Sequence, residues 1–283
     1  MPAARANGIT IEFETFGDRN APPVLLIMGL GSQLTRWRLD FIQTLVDRGY
    51  FVVRFDNRDV GLSTWFDDVA LESQVAPGTP LYSLSDMAKD AVGLLDFLEI
   101  PSAHLVGASL GGMIAQVFVL EHSERVRSLV SIMSSTGPSD VHLEVLAPFA
   151  VPATTREEAI ENSVELRRVL AGSGSSFDEE LTRQEAIRDY DRAYHPAGTT
   201  RQLFAGLAGA DRAHVLHEVI VPTLVIHGED DPLVDPAGGA STAAAIPGAK
   251  LKLLPGMGHD LPPELYEQVA DDLAELFREG DKL

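Results

Sequence analysis

The sequence predicts an α/β fold, with a mostly parallel central sheet, helices on both faces and an inserted helical segment. Short apolar runs alternate along the chain with longer segments whose apolar residues are spaced as on one face of a helix. This alternation stops for a long helical stretch, after which strand-like segments return. Continuous apolar runs are typical of parallel strands, because helices cover both faces of such a sheet.

The first part of the chain contains three strand-like segments and one helix. Residues Ile9–Phe16 alternate apolar and polar side chains, which is typical of a strand in an edge hairpin. Val24–Met28 and Tyr50–Phe55 are almost continuously apolar and indicate buried parallel strands. Between them, Phe41–Arg48 has the spacing of a helix, and Gly49 marks its end.

The next part repeats this order of elements. Ser85 is predicted to cap a helix that ends at Leu98, because the apolar residues between them fall on one helical face. His104–Val106 is the next buried strand, and Met113–Glu121 is predicted to be the helix that follows it. Val126–Met133 is a further strand candidate.

The remaining elements frame a long helical stretch. Residues 137–213 are rich in Glu, Arg, Ala and Leu at helical spacing and contain no clear strand, with Gly172–Ser176 as a loose connection. Strands resume at Pro222–His227 and Lys250–Leu254, and a terminal helix is predicted over Tyr266–Phe277.

The helical interruption is too long for a simple loop. We therefore predict a core domain made of residues 1–136 and 214–283, and a helical cap subdomain over residues 137–213. The cap is expected to lie over the carboxyl edge of the sheet, where α/β proteins gather their functional groups.

Composition narrows the function classes. The net charge of −20 disfavours nucleic acids and anionic membranes as partners, because both require basic patches. The chain has no cysteine, which excludes disulfides, thiolate nucleophiles and cysteine-based zinc sites. Its eight histidines include no two-histidine helix motif, so no metal site is predicted. Met1–Gly8 lacks the apolar core of a signal peptide, and a cytoplasmic monomer or homodimer is expected.

Residues Gly107–Gly112 carry the most informative motif of the chain. Ser109 lies between glycines directly after a buried strand, which is the pattern of a nucleophile elbow. Small neighbours are required there, because a Cβ would collide with an adjacent strand or helix. A serine alone is a weak nucleophile at neutral pH, so this interpretation requires a base and an orienting acid.

The acid and the base are both found further along the chain. Asp231 follows the strand that ends near His227, and we predict it as the orienting acid, with Asp230 and Asp235 as its competitors. His259, in a glycine-containing loop after the last strand, is the predicted base. The order serine, aspartate, histidine is that of one known triad arrangement. His227 is interpreted as a packed or hydrogen-bonded core histidine.

If Ser109 attacks a carbonyl carbon, the carbonyl oxygen becomes an oxyanion, which requires hydrogen-bond donors. The backbone N–H of Leu110 is one candidate, because it begins the helix after Ser109 and the helix dipole favours negative charge there. The backbone N–H of Leu30 is the second candidate. It lies between glycines in the loop after the first buried strand, which lets the backbone approach a substrate closely.

Together these motifs resemble those of the α/β-hydrolase-fold serine hydrolases, over nearly the whole chain outside the predicted cap. The pattern is similar to the branch that holds aclacinomycin methylesterase and small bacterial carboxylesterases. The resemblance implies ester hydrolysis with no metal or organic cofactor. Many relatives have a histidine where Met28 stands and a glycine where Asp59 stands. The segments that carry the resemblance are Met28–Gly31, Asp56–Ser63, Gly107–Gly112, His227–Pro232 and Gly256–His259.

The leading hypothesis is a serine carboxylesterase that acts through an acyl-enzyme on small to medium hydrophobic esters. Four residues are predicted to border the substrate, namely Gly29, Trp37, Phe149 and Tyr194; ordinary helix packing is the alternative for the two in the predicted cap, Phe149 and Tyr194. One alternative function is cofactor-free perhydrolysis, often labelled haloperoxidase activity, with the same triad. The other is a hydrolase-like protein that binds a small molecule without catalysis.

Overall fold

A computed structural model describes residues 3–72, 79–174 and 176–282. Parts of the segments and domains predicted above lie outside this range, namely Met1, Pro2, residues 73–78, Ser175 and Leu283.

Within the described residues, eight strands form one sheet in the order β1-β2-β4-β3-β5-β6-β7-β8. The first two junctions, β1 with β2 and β2 with β4, are antiparallel, and every other junction is parallel. The predicted α/β fold with a mostly parallel sheet is thus confirmed. The strands are β1 (Ala3–Ala6), β2 (Ile9–Phe16), β3 (Pro23–Ile27), β4 (Phe51–Phe55), β5 (Ala103–Ala108), β6 (Val126–Ile132), β7 (Thr223–Gly228) and β8 (Lys250–Leu254).

Helices cover both faces of the sheet. One face packs against α3, α4 and α8, and the other packs against α1 and α9. Between β6 and β7 the chain forms α5, α6 and α7, which lie within the predicted interruption at residues 137–213, called here the helical insertion. The described helices are α1 (Leu39–Asp47), α2 (Asp67–Glu72), α3 (Leu84–Phe97), α4 (Leu110–Glu121), α5 (Arg156–Leu170), α6 (Glu179–Arg192), α7 (Pro196–Leu207), α8 (Pro236–Ala245) and α9 (Tyr266–Gly280).

The central strands are apolar at every position because both of their faces are buried. In β3, Leu25 and Ile27 belong to the core on the α3 and α4 side, whereas Val24 and Leu26 belong to the core on the α1 and α9 side. Successive side chains of a strand point to opposite faces, so a strand between two helical layers needs apolar residues throughout. The apolar runs in the sequence therefore identified the strands correctly.

The start of α3 differs from the prediction. The cap is Ser83 rather than Ser85: Ser83 Oγ accepts from Asp86 N at 3.2 Å, and the Asp86 carboxylate accepts from Ser83 N at 2.9 Å. This reciprocal pair satisfies two donors at the helix end, which Ser85 could not do because it has no acidic partner three residues later. Ser85 instead donates to Glu121 of α4.

None of the helices in the described part of the chain combines the length and apolar character needed to cross a membrane.

His104, a buried histidine of β5, makes the free energy of unfolding depend on pH. His104 in β5 is fully buried, with Nδ1 2.9 Å from Ser128 Oγ and its ring stacked on Phe277. Burial lowers the pKa of His104 to about 4, although the nearby Asp281 carboxylate opposes the shift. The unfolded chain therefore binds a proton at pH values where the folded protein leaves this ring neutral.

We expect the free energy of unfolding to fall as pH decreases from about 6.5 towards 4, with His104 contributing up to about 3 kcal/mol of that loss. His104→Phe should flatten this part of the pH profile, because a phenyl ring takes up no proton in either state. Chemical denaturation at several pH values measures the effect. His214→Phe, at an exposed histidine, is the control and should leave the slope unchanged. An identical slope in both variants would contradict the prediction.

Candidate active site

Ser109 occupies a sharp turn between β5 and α4. Its backbone angles, φ 54° and ψ −122°, lie in a region that residues with a side chain rarely adopt. Two glycines make the turn possible. A Cβ on Gly107 would lie 2.2 Å from Gly111 O, and a Cβ on Gly111 would lie 2.1 Å from Ile27 O. Because both residues lack a side chain, α4 can start directly against β3 and β5, and Ser109 lies at the edge of the sheet.

The Ser109 hydroxyl contacts a histidine that lies 150 positions later in the chain. His259 Nε2 is 2.9 Å from Ser109 Oγ, and His259 Nδ1 is 2.8 Å from Asp231 Oδ2. Asp231 follows β7, His259 follows β8 and Ser109 follows β5, so all three lie at the carboxyl edge of the parallel sheet. The structure thus brings the three sequence-predicted residues into one line of hydrogen bonds.

Asp231 sets the direction of these hydrogen bonds. Burial by itself raises the pKa of this carboxyl group, but hydrogen bonds with His227 and His259 outweigh it, so that the pKa lies well below its ordinary value. The ionised carboxylate can only accept, so His259 Nδ1 carries the proton and Nε2 accepts from the Ser109 hydroxyl. An acceptor at that position is what a general base requires.

Asp231 is held by more than His259. Its Oδ1 accepts from the backbone N–H groups of Leu233 and Val234, both at 2.9 Å. His227 Nε2 lies 2.9 Å from Val234 O and 3.2 Å from Asp231 Oδ2. The sequence indicated that His227 is a buried, hydrogen-bonded core residue, and it is, but its contact with the acid was missed. The only local sequence signal for this contact was that His227 and Asp231 are four residues apart, on either side of the end of β7.

The two competing carboxylates have other partners. Asp230 accepts from Ser173 N at 3.1 Å on the protein surface. Asp235 accepts from Ala237 N at 2.8 Å and caps the start of α8. Elsewhere too, the described residues contain no group of three or more His, Cys, Asp or Glu side chains that could hold a metal ion.

The predicted oxyanion donors flank Ser109. Leu110 is the first residue of α4, so its N–H has no acceptor within that helix. Leu30 N–H donates to no acceptor among the described residues. The loop that carries Leu30 lies against the elbow, because a Cβ on Gly29 would be 3.0 Å from Ser109 Cβ. Both residues therefore lie close to the serine, and all three line the same cavity.

This cavity is almost entirely apolar. No charged side chain is found in its lining within the described part of the chain. A group bound here would be surrounded by hydrocarbon and by the backbone around Ser109. Besides Ser109, the lining consists of Leu30, Leu110, Met113, Pro138, Val141, Leu146, Leu203, Gly206, Leu207, Leu233 and Val234.

Of the predicted substrate-bordering residues near β3, Gly29 lies beside Ser109, but neither Gly29 nor Trp37 lines the cavity. Trp37 is 3% exposed and stacks on Phe41 of α1, with ring centroids 5.7 Å apart. Its large apolar surface is buried in the core on the α1 and α9 side. Trp37 is therefore a core residue, and its predicted place beside the substrate is wrong.

Phe149 and Tyr194 were also predicted to border the substrate, and neither lines the cavity. Tyr194 is 38% exposed, stacks on Tyr190, and its hydroxyl accepts from Ala153 N. Phe149 is half-buried in a turn between β6 and α5. Aromatic side chains pack wherever apolar surface covers them, so their presence in the insertion did not identify the wall that faces Ser109.

The residues that do line the cavity from the insertion are small or aliphatic. The only sequence signal for them was the spacing of three α7 positions, which places them on one helical face. Many packed helices show the same spacing, so it did not distinguish a cavity wall from a core. These residues are Leu203, Gly206 and Leu207 in α7, and Pro138, Val141 and Leu146 before α5.

Comparison with known proteins gives consistent matches along the chain. A family model described as the alpha/beta hydrolase fold matches residues 22–264. Rhodomycin D methylesterase of Streptomyces peucetius is 31% identical over 290 residues, which covers 93% of each chain. Poly(3-hydroxyalkanoate) depolymerase of Ectopseudomonas oleovorans is 30% identical and covers 84% of this chain and 78% of its own. The crystal structure of the enol-lactonase from Burkholderia xenovorans has a TM-score of 0.79 at 26% identity, covering 98% of this chain and 100% of that one.

The elbow packing gives a steric prediction. In Gly111→Ala, the new Cβ meets Ile27 O at 2.1 Å, so the start of α4 and Ser109 must shift away from β3. We expect the free energy of unfolding to drop by about 3 kcal/mol and the rate at which a fluorophosphonate labels Ser109 to fall. Gly248→Ala is the control: its φ of 76° disfavours alanine, so some loss of stability is expected, but nothing lies within 4 Å of an added Cβ and the labelling rate should stay unchanged. An equal fall in the labelling rate of both variants would show that close packing at the start of α4 is not the cause.

Proposed function

Because this chain belongs to the alpha/beta hydrolase fold family, we propose that it is a serine carboxylic ester hydrolase that works through an acyl-enzyme. One observation carries the proposal: hydrogen bonds join Asp231 through His259 to Ser109, and Ser109 lines an apolar cavity. Relatives of this chain include a methylesterase and a depolymerase, which supports ester cleavage as the reaction class.

In the first half of the reaction, Ser109 Oγ forms a bond to the ester carbonyl carbon while its proton moves to His259 Nε2. The carbonyl oxygen becomes an oxyanion that the N–H groups of Leu30 and Leu110 stabilise. The bond from carbon to the alcohol oxygen then breaks, and His259 returns the proton to the departing alkoxide. The products of this half are a free alcohol and an acyl group on Ser109.

In the second half, a water molecule attacks the acyl carbon and gives its proton to His259. The bond between the acyl carbon and Ser109 Oγ then breaks, and His259 gives the proton taken from water to the serine oxygen. The carboxylic acid leaves and the enzyme is restored. Asp231 stays ionised throughout, because its role is to orient the imidazole and to stabilise its charged form.

The cavity supports hydrophobic esters as substrates. Apart from Ser109, its lining consists of apolar residues and offers no cation among the described residues to pair with a substrate carboxylate. Transfer of an unpaired carboxylate from water to such a site is costly, whereas apolar groups gain free energy on burial. Similarity to rhodomycin D methylesterase makes methyl esters of hydrophobic acids one candidate within this class.

We further propose that the helical insertion acts as a cap over the site, with residues 1–136 and 214–283 as the core domain. Helix α7 contributes Leu203 and Leu207 to the cavity wall. The C-terminal end of α5 lies on the histidine loop, where Leu170 O accepts from His259 N at 2.8 Å. These contacts favour a cap that closes the cavity and therefore selects among substrates.

Replacement of the nucleophile tests the proposal. We expect wild-type protein to hydrolyse p-nitrophenyl butyrate with a burst of p-nitrophenol, and Ser109→Ala to lower kcat by at least about 10³-fold. A phosphonate probe should add its mass to Ser109 alone. The control is Ser241→Ala, at an exposed serine of α8, which should keep full activity. Equal rates in the wild type and Ser109→Ala would refute the proposal.

The apolar lining predicts discrimination by charge. We expect kcat/KM for p-nitrophenyl butyrate to exceed that for the p-nitrophenyl monoester of succinate by about 100-fold, since the second acyl chain ends in a carboxylate of similar reach. Initial rates at low substrate concentration measure this ratio. Added salt should change it little, because the penalty comes from desolvation rather than long-range repulsion by the acidic surface. A ratio near one would contradict the substrate class.

A further inference from the structure

Gln202 is a buried residue of α7 whose amide reaches the loop that carries Leu30. It is fully buried, its Oε1 accepts from Gly31 N at 2.9 Å, and its Nε2 donates to Arg58 O at 2.7 Å. The orientation of the amide is unambiguous, because Gly31 N–H can only donate and Arg58 O can only accept. The residues joined by the first contact are 171 positions apart.

The contacted loop is a tight turn. Ser32 N donates to Gly29 O at 3.3 Å, so Leu30 and Gly31 are the two central residues. Gly31 has φ 61°, and a Cβ there would lie 2.7 Å from the side chain of Thr199 in α7. Helix α7 therefore lies directly on the turn. The peptide that joins Leu30 to Gly31 is the one whose N–H Gln202 holds.

That peptide fixes where the turn, and Leu30 within it, lies relative to the elbow. In a four-residue turn the central peptide can rotate between two orientations, which reverses the Gly31 N–H and the Leu30 carbonyl but leaves φ of Leu30 nearly unchanged. Gln202 therefore acts on the Leu30 N–H by holding the turn in place. The hydrogen bond from Gly31 N–H to Gln202 favours the observed orientation. The other side of the loop is held separately, because Asn57 Nδ2 donates to Met28 O at 2.8 Å.

We propose that Gln202 is a positioning residue that fixes the turn carrying Leu30, one of the two proposed oxyanion donors. The helical insertion then helps to build the catalytic site as well as to cover it. This inference rests on the proposed ester hydrolysis. Gln202 does not touch the substrate and is absent from the cavity lining in the described residues. It acts on Leu30 through the turn, and its effect is therefore largest when negative charge develops on the carbonyl oxygen.

A merely structural role makes a different prediction. If Gln202 only fastened α7 to the core, its loss would lower the unfolding temperature and would weaken binding of ground states and transition-state mimics alike. A positioning role lowers kcat with little change in KM, because the lost interaction is made mainly in the transition state. It also weakens tetrahedral mimics selectively.

The test uses Gln202→Met, which preserves side-chain length but removes both hydrogen bonds. The probe is an alkyl trifluoromethyl ketone: Ser109 Oγ adds to its carbonyl carbon, the serine proton moves to His259, and the ketone oxygen becomes an oxyanion between Leu30 and Leu110. We expect kcat for p-nitrophenyl butyrate to fall about 10–100-fold with KM within about threefold of the wild type. The inhibition constant of the ketone should rise by the same factor as kcat falls.

Gln184→Met is the matched control, because Gln184 is exposed on α6 of the same insertion and bonds only to Glu180 among the described residues. Should Gln202→Met fail to fold, Gln202→Asn takes its place: the shorter amide cannot reach both partners, and the same fall in kcat is expected. An unchanged kcat in a folded Gln202 variant, or a fall in kcat without weaker ketone inhibition, would overturn the inference. Absence of Ser109-dependent turnover in the wild type would instead refute the proposed function.

Discussion

The close approach of α4 to the ends of β3 and β5 is the constraint on which the rest of the site depends. Two glycines allow it, because no side chain at Gly107 or Gly111 could fit between helix and strand. The strained backbone of Ser109 persists because this packing surrounds it on both sides. The same packing sets the serine hydroxyl against His259 and the first N–H of α4 beside it. The backbone that packs α4 against the sheet therefore also positions the groups of the candidate site.

The helical insertion is joined to the loops that carry the site, and not only to the outside of the core. Leu170 O, at the end of α5, accepts from the backbone of His259, and Gln202 of α7 holds the turn next to Leu30. Arg192, at the end of α6, pairs at 2.7 Å with the fully buried Asp56. Burial of that carboxylate without a partner would be costly, so the pair couples the position of the insertion to the core. Under the proposed function, the insertion therefore influences the geometry of the site as well as the shape of the cavity.

The electrostatics of the site follow from burial. Asp231 and His259 are both buried, and the cavity beside Ser109 is lined almost entirely by apolar residues. Surroundings of low polarity strengthen hydrogen bonds and would make an isolated carboxylate unstable. Asp231 avoids this penalty because two backbone N–H groups and two histidines surround it. Its pKa consequently stays low, and the charge that orients His259 is present at neutral pH.

Local sequence patterns predicted every strand except β1, the elbow at Ser109 and the loops after β7 and β8 that carry Asp231 and His259. Each depends on neighbours within a few positions: apolar runs buried on both faces, glycines around a serine, polar residues directly after a strand. Tertiary structure alone decided that Trp37 packs in the core and that Gln202 reaches Gly31. Sequence can indicate that such side chains are buried, but it does not name their partners. The packing of elements distant in the chain selects those partners, because burial is a property of a residue and a contact is a property of two.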